Sequence, residues 1–162
     1  DIRCADAGDG QREALVSLRR ALRLDELGIK LVEDKRGWDH AEIDIVPGPL
    51  GLSGRHGWLT GNNVAARTLE KVGRSVVMGH THRPEHVFQW SKQLNARLEA
   101  AVIGCSCEVR GGGDKHFPTF VPEDGWQQGA GLVTVWPDQT WTLEHARWTG
   151  DALVCGSHRW TP

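Results

Sequence analysis

The chain has 162 residues, 25% of them charged and 39% hydrophobic, and its 19 Lys and Arg against 21 Asp and Glu leave a formal net charge of −2. That length suits one domain burying roughly 70% of its unfolded surface, and that balance argues against a broad basic nucleic-acid face while leaving room for a local patch. No apolar run is long enough to span a membrane, no export signal opens the sequence, and Cys4, Cys105, Cys107 and Cys155 are too unevenly spaced for a disulfide scaffold, so reduced thiols in a cytoplasmic protein are expected.

Residues 1–10 are polar and read as a loop. From Gln11 to Leu27 the apolar positions Leu15, Val16, Leu18, Ala21, Leu22, Leu24 and Leu27 fit one face of a helix, with Gly28 as its C′ residue. Ile29 to Val32 reads as a short strand and Glu33 to Gly37 as a turn. Ala41, Ile43 and Ile45 alternate with Glu42 and Asp44, which predicts a half-buried strand ended by Pro47-Gly48-Pro49. Gly51 to Gly61 reads as a glycine-rich loop carrying Arg55-His56-Gly57. Asn62 or Asn63 then caps a helix that runs to about Val72 and stops at Gly73.

Val76, Val77 and Met78 form a short apolar run, broken by Gly79 and followed by His80-Thr81-His82-Arg83-Pro84. This predicts a buried strand delivering two imidazoles into a loop. His86 to Trp90 and Leu98 to Ile103 are further strand candidates, the second reaching toward Cys105-Ser106-Cys107. Gly111 to Gly125 reads as a long loop. Three late strands are expected at Leu132–Trp136, Trp141–Trp148 and Ala152–Cys155, the last extending toward Trp160. The plan is helix and strand mixed early, then strands late.

Chemistry concentrates in Gly79-His80-Thr81-His82. A His-X-His pair is often two turn or core histidines. Here it follows a strand end and a glycine that lets backbone approach a ligand, and a second His-Gly, His56-Gly57, stands one helix upstream. In a βαβ-like arrangement both loops reach one sheet edge, and three histidines there suit Zn, Mn, Fe or Ni.

His56-Gly57, a helix, a strand and Gly79-His80-Thr81-His82 together resemble the last two motifs of the calcineurin-like metallophosphoesterases. Asn63 to Gly73, Cys105-Ser106-Cys107 and Trp126-Gln127-Gln128-Gly129 extend the resemblance, over most of residues 50–150, to a branch met in phage and bacterial genomes. The resemblance implies an α/β fold, the carboxyl-terminal half of a two-sheet αββα sandwich. It implies hydrolysis of a phosphomonoester or phosphodiester at two divalent metal ions, with His56 and His80 on one and His82 on the other.

The family's amino-terminal motifs, Asp-X-His, Gly-Asp-X-X-Asp and Gly-Asn-His-Asp/Glu, do not precede His56 here. Asp1-Ile2-Arg3 fits the residues after a Gly-Asn-His, and Met78 is the only methionine. The expectation is therefore one partial domain over 1–162, with motifs in 50–90 and strands in 98–160. By itself it binds metal weakly and hydrolyses little, since two metals need a bridging carboxylate.

The remaining residues admit milder readings. Arg83 either neutralises a substrate phosphate or makes a surface ion pair. Cys105 and Cys107 are buried small residues, or half of a zinc site with His116. Lys115 and His116 are rim or loop residues, Asp39-His40 is a turn before a strand, and His86, His145 and His158 are structural. Two competing functions stay open: a non-catalytic module with a structural metal, and a degenerate phosphoesterase used for binding. The partner is a phosphorylated substrate of open class, with no membrane involved.

Overall fold

The fold is built around Leu52–Arg55 (β2) and Ser75–Met78 (β3), two four-residue strands paired in parallel, with Leu52 opposite Ser75 and Arg55 opposite Met78. The structure, a computed structural model, describes residues 23, 24, 26–28, 30, 32, 34–106 and 125–161. The chain divides into two compact units, residues 1–33 and residues 34–162.

In the second unit, Glu42–Val46 (β1), β2, β3, Glu85–Ser91 (β4) and Ala96–Val102 (β5) form one sheet in the order β1-β2-β3-β5-β4. β2, β3 and β5 run parallel; β1 and β4 are antiparallel edges. Gly129–Val135 (β6), Trp141–Trp148 (β7), Leu153–Cys155 (β8) and His158–Trp160 (β9) form an antiparallel sheet in chain order. The helix Val64–Val72 (α1) connects β2 to β3.

Alternation along the central strands divides the core in two. Side chains two apart on a strand share a face. Val76 and Met78 of β3, with Leu98, Ala100 and Val102 of β5, pack against Val64, Ala65 and Leu69 of α1. Val77 and Ala101 point the other way and meet Leu52, Val46 and Leu143 of the second sheet. Helix, sheet and sheet are therefore three layers, with β3 buried at every position. Gly131 permits the sheets to close: a Cβ there would stand 3.0 Å from Ile103 Cγ2.

Helix α1 begins and ends on αL residues. Gly73 closes it, donating its N–H to Leu69 O at 2.9 Å with φ 69°. Asn63 occupies the N-cap at φ 54° but makes no capping bond with its side chain. Glu85 of β4 does that work instead, accepting the Ala65 N–H at 2.9 Å. Among the described residues no helix is long and apolar enough to cross a membrane.

Several expectations change. Gly51 to Gly61 is not all loop, because β2 occupies its first half. Its glycines serve close packing: a Cβ on Gly51 would fall 1.9 Å from Val46 O, and one on Gly54 would meet Ile45 Cδ1 at 3.1 Å. β1 is an exposed edge rather than half-buried, with Ile43 46% and Ile45 39% accessible, and only Val46 is buried among its residues. The strand expected through Cys105 stops at Val102, and Cys105 makes an isolated bridge to Gln128. The last segment is a hairpin, β8 and β9, turning at Gly156 with φ 54°.

The helix expected at Gln11–Leu27 lies mostly outside the described residues, as do Ile29, Leu31, Cys107, Lys115, His116 and nearly all of the Gly111–Gly125 loop. Residues 26–28 form a turn, with Leu27 N–H on Arg23 O at 3.1 Å and Gly28 at φ 67°.

Between the sheets, His145 of β7 stacks 5.3 Å from His86 of β4, whose Nε2 is 2.9 Å from Glu99 Oε2 of β5. Burial, then the neighbouring His86, pushes His145 below its ordinary value of 6.5. The unfolded chain then binds this proton more readily than the folded one. Its contribution to stability is complete above pH 6.5 and is lost as pH falls toward the folded value. Denaturant midpoints measured from neutral pH down to about pH 5 should fall, and His145→Gln should make that fall shallower. Gly51→Ala should cost about 3 kcal/mol or more in the same assay, because the added methyl meets backbone that cannot step aside.

Candidate metal centre

The parallel pairing of β2 and β3 ends both strands at one level, so the residues that follow Arg55 and Met78 leave the sheet side by side. Those residues are His56-Gly57 and Gly79-His80-Thr81-His82. The edge is the carboxyl end of the parallel strands, where α/β sheets bind ligands.

The imidazoles of His56 and His80 meet edge to face, with ring centroids 4.9 Å apart. His82 lies within electrostatic reach of both. Gly57, buried at φ 104°, makes the approach possible: a Cβ there would touch His80 Cβ at 3.4 Å and Met78 Sδ at 3.7 Å. The glycine that matters is thus Gly57. A Cβ on Gly79 would meet no protein atom within 4 Å, so Gly79 is not what lets the two rings meet.

The loop holds its histidines in an unusual backbone. His80 has φ 75° and His82 has φ 58°, and Thr81 N–H bonds back to Gly79 O at 3.0 Å. The left-handed region costs a non-glycine residue about 1–2 kcal/mol, and such residues cluster where a site is pre-organised. The next contacts pin the loop from outside. Gln127 N–H donates to His82 O at 3.0 Å, and the Trp126 ring stands edge-on to His82 at 4.3 Å. Cys105 holds that segment in turn, donating its N–H to Gln127 O and accepting the Gly129 N–H, each at 2.9 Å.

Burial and neighbouring charge favour the neutral form of His80 and His82. Burial, then His56 and His82, pushes His80 below the usual histidine range, with Asp39 opposing. Burial, then His56, does the same for His82. Neutral imidazole is the form that ligates a metal. The Nδ1–H of His56 donates to Gly57 O at 3.0 Å, which makes Nε2 the lone-pair nitrogen of that ring. His82 Nδ1 is buried without a hydrogen-bond partner. This donor chemistry suits a borderline divalent ion. The set is incomplete: among the described residues, no three His, Cys, Asp or Glu side chains already close around one point.

Arg83 follows His82 and makes no ion pair among the described residues; it lines a cavity of about 430 Å³ beside the loop. Cys105 and Cys155 are buried thiols, and burial raises Cys155. His86 and His145 pack between the sheets. Sequence reading took Asp39 as a turn residue and Trp126 only as part of the Trp126–Gly129 run, and it did not single out Glu85. Asp39 sits in the 3₁₀ turn Trp38–His40, as a turn residue, yet its charge acts on His80. Only the Trp126-Gln-Gln-Gly129 run carried a sequence signal, and it gave no hint of contact with His82.

No protein-family model and no solved structure matches the chain. It is similar to curated proteins named probable beta-glucosidase F, from Aspergillus flavus and from Aspergillus oryzae, each 27% identical over 121 residues. The match covers 67% of this chain and spans 14% of the length of those relatives.

His80→Gly should leave stability unchanged or raise it by up to about 1 kcal/mol, because relief of the left-handed backbone outweighs the added chain entropy. Thr81→Gly, with no such strain to relieve, should lower it by roughly 0.5–1 kcal/mol in the same melts.

Proposed function

We propose that this chain is the carboxyl-terminal part of a calcineurin-like metallophosphoesterase domain, one half of its two-sheet sandwich, and that the intact domain hydrolyses a phosphoester. The observation that carries this reading is the meeting of His56 with His80 at one edge of two parallel strands, with His82 beside them. The mixed fold with a helix on one side of two layered sheets supports it.

In this reading His56 and His80 would hold one divalent ion and His82 its neighbour, and the ions would supply Lewis acidity toward the phosphoester. The chain's own residues do the rest. The strained loop fixes the direction of His80 and His82, so little is reorganised on binding. Low proton affinity keeps these rings as lone-pair donors. Trp126 covers one side of His82 and limits water there. Arg83, on the cavity beside the loop, faces an anionic group of the substrate. Other ligands, and the histidine that meets the leaving group, belong to the family's amino-terminal motifs.

The name carried by the Aspergillus relatives brings no residue to this site. Glycoside hydrolysis runs on two carboxyl groups, and the groups converging here are imidazoles.

His80→Ala and His82→Ala in the full-length parent should each lower Mn-dependent phosphatase activity by about a hundredfold or more, with folding retained by circular dichroism. Activity unchanged in both variants would overturn the reading.

A further inference from the structure

The cavity beside the histidine loop has a composition that points to a ligand. Its wall is made by the turn Gly61-Asn62-Asn63 before α1 and by Arg83, Glu85 and His86 after β3, in a volume of about 430 Å³. These are the same two connections that carry His56 and His80. The polar groups in that wall divide into committed and uncommitted ones. Glu85 gives its carboxylate to the Ala65 N–H at the start of α1, which offsets its charge. His86 gives its Nε2 to Glu99 at 2.9 Å. Asn63, placed where a side chain would normally cap the helix, makes no capping bond and adopts the left-handed region at φ 54°. The helix end is served by Glu85, and Asn63 lines the cavity.

Arg83 is the remaining charge. It makes no ion pair or hydrogen bond among the described residues, and its stem runs past Gly125, whose missing Cβ would lie 3.7 Å from Arg83 Cγ, Cδ and Nε. A guanidinium presents a rigid fork of donors that fits the oxygens of a phosphate or carboxylate. Arg83 follows His82 directly in the chain, so the cavity it lines adjoins the loop that carries His80 and His82.

We propose that this cavity is the seat of a second anionic group of the substrate, gripped by Arg83 with Asn62 and Asn63 beside it, so that the substrate is a phosphoester bearing a further phosphate or carboxylate near the scissile one. The assignment rests on the phosphoesterase reading for the first phosphate, while the second seat depends on Arg83 alone.

The test is calorimetric titration of the full-length parent, supplied with Mn, with methylenediphosphonate, phosphonoacetate and inorganic phosphate, run in parallel with a Mn titration without anion. The wild-type parent should bind at least one of the two-anion probes about tenfold more tightly than inorganic phosphate. Methylenediphosphonate as the tighter probe assigns a second phosphate, and phosphonoacetate a carboxylate. Arg83→Gln should abolish the preference, Arg83→Lys should keep part of it, and Asn63→Ala should weaken it, each variant folded by circular dichroism. An Arg83-dependent preference in a full-length parent that takes up no Mn supports the seat and counts against the metal reading. Mn uptake lost in His80→Ala, together with equal binding of all three anions or a preference surviving Arg83→Gln, overturns the seat and leaves the metal reading standing. No binding of either two-anion probe also overturns it.

Discussion

The parallel register between β2 and β3 is the constraint on which everything else rests. Arg55 opposite Met78 ends both strands together. From that one alignment follow the adjacency of His56 and His80, the placement of α1 over the first core, and the cavity between the two outgoing loops. A shift of one residue would turn Val76 and Met78 away from α1 and send Val77 into it. The register is held by burial on both faces. It is reinforced at its start by Ser53 Oγ on Ser75 O at 3.4 Å and by Glu99 N–H on Ser75 Oγ at 3.1 Å.

Around this edge the chain spends conformational strain in a consistent way. Three of its positive-φ residues other than glycine, Asn63, His80 and His82, flank the cavity or form the histidine cluster. Two of them, Asn63 and His82, are released from an ordinary local duty. Asn63 does not cap its helix, because Glu85 reaches across from β4. His82 is not held by its own ring nitrogen, because Gln127 and Trp126 hold its backbone and ring face. Supporting contacts therefore come from elements distant in sequence, which leaves local polar atoms directed at the site.

The histidine motif was readable because its chemistry is local. A strand of three apolar residues, a glycine and two histidines at i and i+2 already specify a loop that presents imidazoles, and the strand, the helix after Asn63 and the stop at Gly73 lie where the pattern put them. β7 also falls on Trp141–Trp148, where alternation was regular. β2 was missed because Gly51 and Gly54 read as loop residues. Their lack of a side chain serves the approach of Val46, Ile43 and Ile45, a fact that exists only once β1 has folded onto them. The exposure of Ile43 and Ile45 is likewise invisible to periodicity, which reports alternation but not whether a layer covers the face.

By itself, then, the sequence determined the mixed helix-and-strand order, the buried strand β3, the boundaries of α1 and the histidines that follow the ends of β2 and β3. These depend on short-range spacing and on turn chemistry. Only the tertiary structure decided which glycine admits the close approach, that Asp39 and Trp126 act on the histidines, that Glu85 replaces Asn63 as the cap, and that Arg83 borders a cavity. The physical reason is separation along the chain. Each of those relations joins residues from different strands and loops, and strand register rather than local pattern brings them together.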